Sequence, residues 1–363
     1  MISTILHRRQ PPANAPQPPV RAALLRRVVS IGSRMLALPH YFVHRIDPIL
    51  MSIGGVHLWW YGLSYTIGFL FLYRHLQRAR FRLGLTGAEA CALSLFIAVG
   101  VLVGGRAVEV AFDEWTFYRE HPQLIPALWL GGMATHGLLI GAATGLLLFA
   151  WLHRRPILEL ADDLVIPGAF IMGMGRLGNF IDGQIVGAVT DVPWGVQFPD
   201  ADGVRHPVVL YDGIKNLLLI PYLLWVRRTN PTPGAAAARF VFWYPFLRIF
   251  IDLFRDYPTH RLALGTGQTL NIAMVILGIG LLVRSRLRRQ GRLTTRRVPS
   301  CGPAGLVDVP PSLLQRAALV ALLVFCLTMP SNWTQDVPAR YSPRHPGLMH
   351  SWLYPAIDTR PLR

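Results

Sequence analysis

Residues 88–112 read AEACALSLFIAVGVLVGGRAVEVAF. Between Glu89 and Arg106 no residue carries a charge, and the whole run is longer than the roughly 20 mostly apolar residues that a helix needs to cross a bilayer. It predicts a transmembrane helix. Six comparable runs surround it, at 56–73, 127–152, 164–181, 207–226, 238–254 and 264–283. An eighth, at 313–329, is shorter and contains Arg316. Composition points the same way. Of 363 residues, 52% are hydrophobic and 15% charged, against about 25% charged in a soluble domain, and mean hydropathy is +0.37. The expected fold is all-α, a polytopic membrane bundle of seven transmembrane helices over 56–285, with 313–329 as the candidate eighth. An N-terminal arm (1–55) and a C-terminal extension (286–363), basic at first and then Pro-rich, flank it.

The arginines orient the bundle. Net charge is +17, and Lys215 is the single lysine. Arg74, Arg78, Arg80 and Arg82 follow the first run, Arg154 and Arg155 the third, and Arg227 and Arg228 the fifth. The segment RSRLRRQGRLTTRR (284–297) follows the seventh. With seven spans all four loops share one side, which the positive-inside rule makes cytoplasmic. Loops 113–126, 182–206 and 255–263 then face outward. The arm opposes this placement with Arg8, Arg9, Arg21, Arg26, Arg27, Arg34 and Arg45 on the outer side. Its Pro-rich start is expected to be disordered and lacks the apolar core of a signal peptide. Residues 21–38 space Leu24, Leu25, Val28, Ile31 and Met35 as a surface amphipathic helix does. Cys91, Cys301 and Cys326 form no CxxC pair, and no His cluster has zinc spacing, so neither a disulfide nor a metal is expected.

Charged side chains inside a membrane are costly, which makes each a candidate for function. Here they are numerous: Arg106 and Glu109 in the second run, His136 in the third, and Arg176 with Asn179 in the fourth. Tyr211, Asp212 and Lys215 lie in the fifth, and Arg248 and Asp252 in the sixth. Each has a plainer reading. Arg106 with Glu109, Arg248 with Asp252, and Lys215 with Asp212 are at pairing distance along a helix, and Tyr61 beside Trp59 and Trp60 suits an interfacial anchor. The alternating topology nevertheless brings these groups from six helices toward the outer leaflet, with His136 about nine residues into its run.

The most specific stretch is GMGRLGNFIDGQ (173–184), which places Arg176, Gly178 and Asn179 at a helix end among glycines. It resembles the signature G-R-x-G-N-F-[IL]-N-G-E of the prolipoprotein diacylglyceryl transferases. GGMATHG (131–137), HPVVLYD (206–212), YPFLRIFIDLFR (244–255) and WYGLSY (60–65) are similar to further motifs of that family, in the same order. GGRAVEV (104–110) and GQTLN (267–271) match more loosely. The sequence departs from the pattern at Trp59 (often His), Asp182 (Asn), Gln184 (Glu), Val209 (Gln), Asp212 and Asp252 (Glu) and Asn271 (Ser).

The resemblance implies an enzyme of the bacterial inner membrane, with its active site toward the outer leaflet. It would move the diacylglyceryl group of phosphatidylglycerol onto the lipobox cysteine of a prolipoprotein and release glycerol 1-phosphate. No cofactor, metal or nucleic acid is needed; the partners are the two substrates and membrane lipid. Arg176 and Arg248 suit the phosphate, because guanidinium is a permanently charged fork. His136 suits the base that makes a thiolate, and Tyr244 the relay. Arg106, Asn179, Tyr61, Asp252, Tyr211 and Gly178 complete the expected catalytic and substrate-binding set. A purely structural membrane protein is a further reading, which the outer-side cluster of polar groups argues against, and two others stand beside this one. One is a weak or inactive relative that binds lipid or lipoprotein, toward which Asp182 and Gln184 point; the other is a transporter, which would show inverted repeats.

Overall fold

The computed structural model describes residues 41–230, 232–256, 266–291, 307–334 and 337–357. The amphipathic segment at 21–38, most of loop 255–263, Cys301 and the linker from 292 to 306 lie outside the described residues. Eight long helices occur among those described. They are α1 (Trp60–Ala79), α2 (Gly87–Val108), α3 (Thr135–Leu152), α4 (Ile157–Asp182), α5 (Val208–Thr229), α6 (Ala235–Asp252), α7 (Thr266–Gly291) and α8 (Leu313–Leu327). A π-helical turn, Glu109–Asp113, continues α2. Four of these helices, α2 with its π turn, α3, α5 and α7, are long and apolar enough to cross a membrane. Helices α1, α4 and α6 interleave with them, and α8 is shorter.

Local chemistry sets the helix ends. Thr86 and Glu89 form a reciprocal capping box that starts α2. Ser312 and Gln315 do the same for α8. Gly183, in the left-handed conformation, ends α4. The pairing of α2 with α3 rests on small residues. A Cβ at Gly104 or Gly141 would strike the facing backbone, so the helices touch where their glycines align.

Two boundaries differ from the sequence reading. Residues 56–59, expected to begin the first span, form a strand (Val56–Trp59) paired with Ile49–Ile53. Gly54 and Gly55, with φ of 57° and 81°, make the turn between them, so a hairpin precedes α1. The third run begins its helix at Thr135 rather than near 127. Leu128–Leu130 is a 3-10 turn, and Gly131 and Gly132 adopt φ of 76° and 70°, which breaks the helix despite the apolar composition. His136 therefore sits in the first turn of α3 instead of deep within it.

Arginines at or just after the ends of α1, α3 and α5 collect at one end of the bundle. Asp163 there accepts Arg82 at 2.7 and 2.8 Å and lies 3.0 Å from Arg227 and 3.2 Å from His75. Arg155 grips Glu89, and Asp308 bonds Arg80 and the Gly87 amide at 2.9 Å each. Residues 113–134, 183–206, 328–334 and 337–357 pack at the opposite end, where Ile49, Trp59, Leu130, Trp333, Tyr341 and Tyr354 share a core.

Candidate active site

Helix α5 buries one stripe, Asp212, Lys215, Asn216, Leu219, Leu223 and Val226. The spacing is that of a single helix face, so its polar top turns inward with its apolar stem. Asp212 is the hub. Arg176 Nε of α4 donates to Asp212 Oδ2 at 2.7 Å, and Arg248 Nη1 of α6 donates to the same oxygen. Lys215 Nζ lies 2.8 Å from Asp212 Oδ1 and 4.0 Å above the Tyr244 ring, and it donates to the Tyr244 carbonyl at 3.3 Å. All four charged groups are buried.

Arg176 is held at every nitrogen. Nη1 donates to Asn179 Oδ1 at 3.1 Å and Nη2 to Thr135 Oγ1 at 2.5 Å. With its oxygen so engaged, Asn179 offers Nδ2 as a donor. Gly178 permits the close approach of α4 to α1, since a Cβ there would lie 3.0 Å from Tyr61 Cα. Arg248 Nη2 also lies 3.7 Å from Asp252 Oδ1.

A second chain of bonds leads to the histidine. Asn271 Nδ2 of α7 donates to Asp252 Oδ2 at 3.2 Å, and His136 Nε2 lies 3.2 Å from Asn271 Oδ1. An ionised carboxylate only accepts, so the Asn271 amide must turn its nitrogen to Asp252 and its oxygen to His136. Nε2 then carries the proton, and Nδ1 is the basic nitrogen.

A cleft opens onto this centre between Arg176, Arg248 and Arg255, with Asp212, Asp252 and Val209 in its wall. Three arginines and two carboxylates line it, and Lys215 pairs with one of the carboxylates, Asp212. Guanidinium groups held in place by buried partners are suited to holding an anion in a poorly hydrated place.

The structure thus gathers Arg176, Asn179, Arg248, Asp252, His136 and Tyr244 in one network. Others stand apart from its hydrogen bonds. Arg106 spends its guanidinium on the carbonyls of Leu124, Ile125 and Gly131, at 2.6 to 3.2 Å, and stacks on Tyr118. Tyr61 bonds Tyr65 at 3.3 Å. Tyr211 accepts from Trp194 at 2.8 Å and meets His206 at 3.1 Å. Asp212, Thr135 and Asn271 were absent from the expected set. The stripe Asp212, Lys215, Asn216 carried the signal, since its i, i+3, i+4 spacing marks one helix face.

Fold and site together define a helical membrane protein that concentrates positive charge at one end of its bundle. The model of the prolipoprotein diacylglyceryl transferase family matches residues 48–284. A phosphatidylglycerol–prolipoprotein diacylglyceryl transferase of Geobacter sulfurreducens is 36% identical over 255 residues, 68% of this chain and 98% of the relative. One from Mannheimia succiniciproducens is 36% identical over 71% of this chain and 97% of its own length. One from Nitrosomonas europaea is 38% identical over 66% and 89%. The chain belongs to the prolipoprotein diacylglyceryl transferase family.

Proposed function

We propose that the chain transfers the diacylglyceryl group of phosphatidylglycerol to the lipobox cysteine of an exported prolipoprotein, at the outer leaflet of the bacterial inner membrane. The observation that carries this reading is the convergence of Arg176, Lys215 and Arg248, from three helices, on Asp212. Asp212 aligns and partly neutralises the cations, and the residual charge holds the phosphate. Asn179 Nδ2 adds a donor. His136 Nδ1 takes the thiol proton. The sulfur then forms a bond to the glycerol carbon that carries the phosphate ester, and that C–O bond breaks. Its electron pair leaves with glycerol 1-phosphate, whose growing charge the two guanidinium groups stabilise. Tyr244 supports Lys215 from below, Asp252 orients Arg248 and Asn271, and Arg106 braces the segment that leads to His136. Tyr61 and Gly178 set the approach of α1 to α4, and Tyr211 lines the rim. Seven spans over 56–285, with α8 as an eighth, suit this placement.

The test is transfer to a lipobox peptide by the purified chain in phosphatidylglycerol vesicles, followed by mass spectrometry. We expect a diacylglyceryl mass gain on the cysteine, and a loss of about 10²-fold in His136→Gln, the usual worth of a general base. A wild-type chain that leaves the peptide unmodified contradicts the proposal.

A further inference from the structure

The family match ends at residue 284, yet the C-terminal extension reaches back to the segment before His136 and to the end of α4. After α8 the chain runs along the segment that precedes His136. The Gly132 amide donates to Ser331 O at 2.7 Å and the Trp333 amide to Leu130 O at 2.8 Å, in an antiparallel bridge at Gly131 and Asn332. The same stretch holds the end of α4. The Ser331 amide donates to Asp182 Oδ2 at 3.3 Å, and Gln184 Nε2 donates to the Tyr341 hydroxyl at 3.1 Å. Arg344 donates to the carbonyls of Asp182 and Ile181, at 3.0 and 3.4 Å, and to Ile46 O at 3.1 Å. Those of Asp182 and Ile181 are terminal carbonyls of α4, which lack helical partners, and a guanidinium there also opposes the helix dipole.

Ser331 is thus a staple with one backbone bond to each side. On one side the chain proceeds from Gly132 to Thr135 and His136; on the other, α4 carries Arg176 and Asn179 one to two turns before Asp182. Asp182 and Gln184, two departures from the family signature, are contacts of this strap. Trp59, a third, bonds the Tyr354 hydroxyl at 3.3 Å. Burial raises the Tyr341 phenol above its ordinary range, so its hydroxyl stays protonated.

We propose that residues 328–334 and 337–357 act as a strap within the chain whose Ser331, Tyr341 and Arg344 fix the His136-bearing segment against the Arg176- and Asn179-bearing end of α4. These are positioning residues, and the proposal rests on the transferase reading above. The departures at Asp182 and Gln184 are then docking points rather than marks of lost activity.

The experiment measures transfer kinetics in the full-length chain for Arg344→Ala, Arg344→Lys, Tyr341→Phe and, as an exposed control, Met349→Ala. A small misplacement of reacting groups is costly, so kcat of Arg344→Ala should fall about tenfold or more at nearly constant KM for the lipid. Arg344→Lys should recover part of the loss, Tyr341→Phe should fall a few-fold, and Met349→Ala should match wild type. In an Arg176→Lys background Arg344→Ala should cost little more, because both act on one step. Unchanged kcat per folded molecule, or losses that multiply in the double variant, overturns the strap's positioning role. An inactive wild type is a different result; it removes the transferase reading, and this inference with it.

Discussion

Two buried aspartates anchor the two ends of the bundle, and each gathers three basic groups. Asp163 meets Arg82, Arg227 and His75; Asp212 meets Arg176, Lys215 and Arg248. The difference lies in where the cations stand. The Arg82 side chain is 54% exposed, so it reaches a buried carboxylate from water and keeps most of its hydration. The side chains around Asp212 are at most 10% exposed. Buried ion pairs seldom repay their desolvation, and apolar packing would often serve stability as well. The Asp163 cluster is therefore explained as a tie among loops. The Asp212 cluster costs more than a tie needs to, and its burial suits a group that must meet an anion.

The comparison makes opposite predictions for the two ends. The largest effect belongs to the centre around Asp212. Arg176→Lys and Arg248→Lys keep the charge and lose the fork. Each should lower transfer by about 10²–10³, as loss of one oxyanion donor does, with yield near that of wild type. Loss of yield without loss of turnover per folded molecule would make these arginines structural and erase the contrast. A smaller effect belongs to Asp163→Asn. It should lower stability on the order of 2 kcal/mol, the worth of charge-assisted bonds discounted for the exposed Arg82, and leave transfer per folded molecule unchanged. Thermal unfolding and a transfer assay on the same preparation read both. The smallest effect concerns orientation. Arg78→Cys should resist an impermeant thiol reagent applied from outside, and ready labelling would reverse the two ends.

Much of the bundle was legible because length and charge spacing decide it. The run at 88–112 became α2 because its uncharged interior admits no other partner than lipid or helix. Boundaries set by backbone conformation were not legible. GGMA (131–134) is apolar enough to read as helix, and only the positive φ of Gly131 and Gly132 moves the start to Thr135. The site was legible as a list of costly charges, but the list could not say which one organises the rest. Tyr211 and Asp212 are neighbours in sequence, yet a helix turns them about 100° apart. Asp212 faces the arginines, and Tyr211 faces Trp194 and His206. The strap was invisible for a different reason. The contact of Ser331 with Asp182 spans 149 positions and goes through a backbone amide, which leaves no side-chain pattern to read.

The central claim is that the Asp212 centre holds the phosphate of the leaving group. Equilibrium binding of glycerol 1-phosphate to the purified full-length chain tests it without requiring turnover. The account predicts saturable, salt-sensitive binding to wild type and to Asp163→Asn, and strongly weakened binding to Arg176→Lys and Arg248→Lys. Equal binding to all four proteins, or none to wild type, would contradict it.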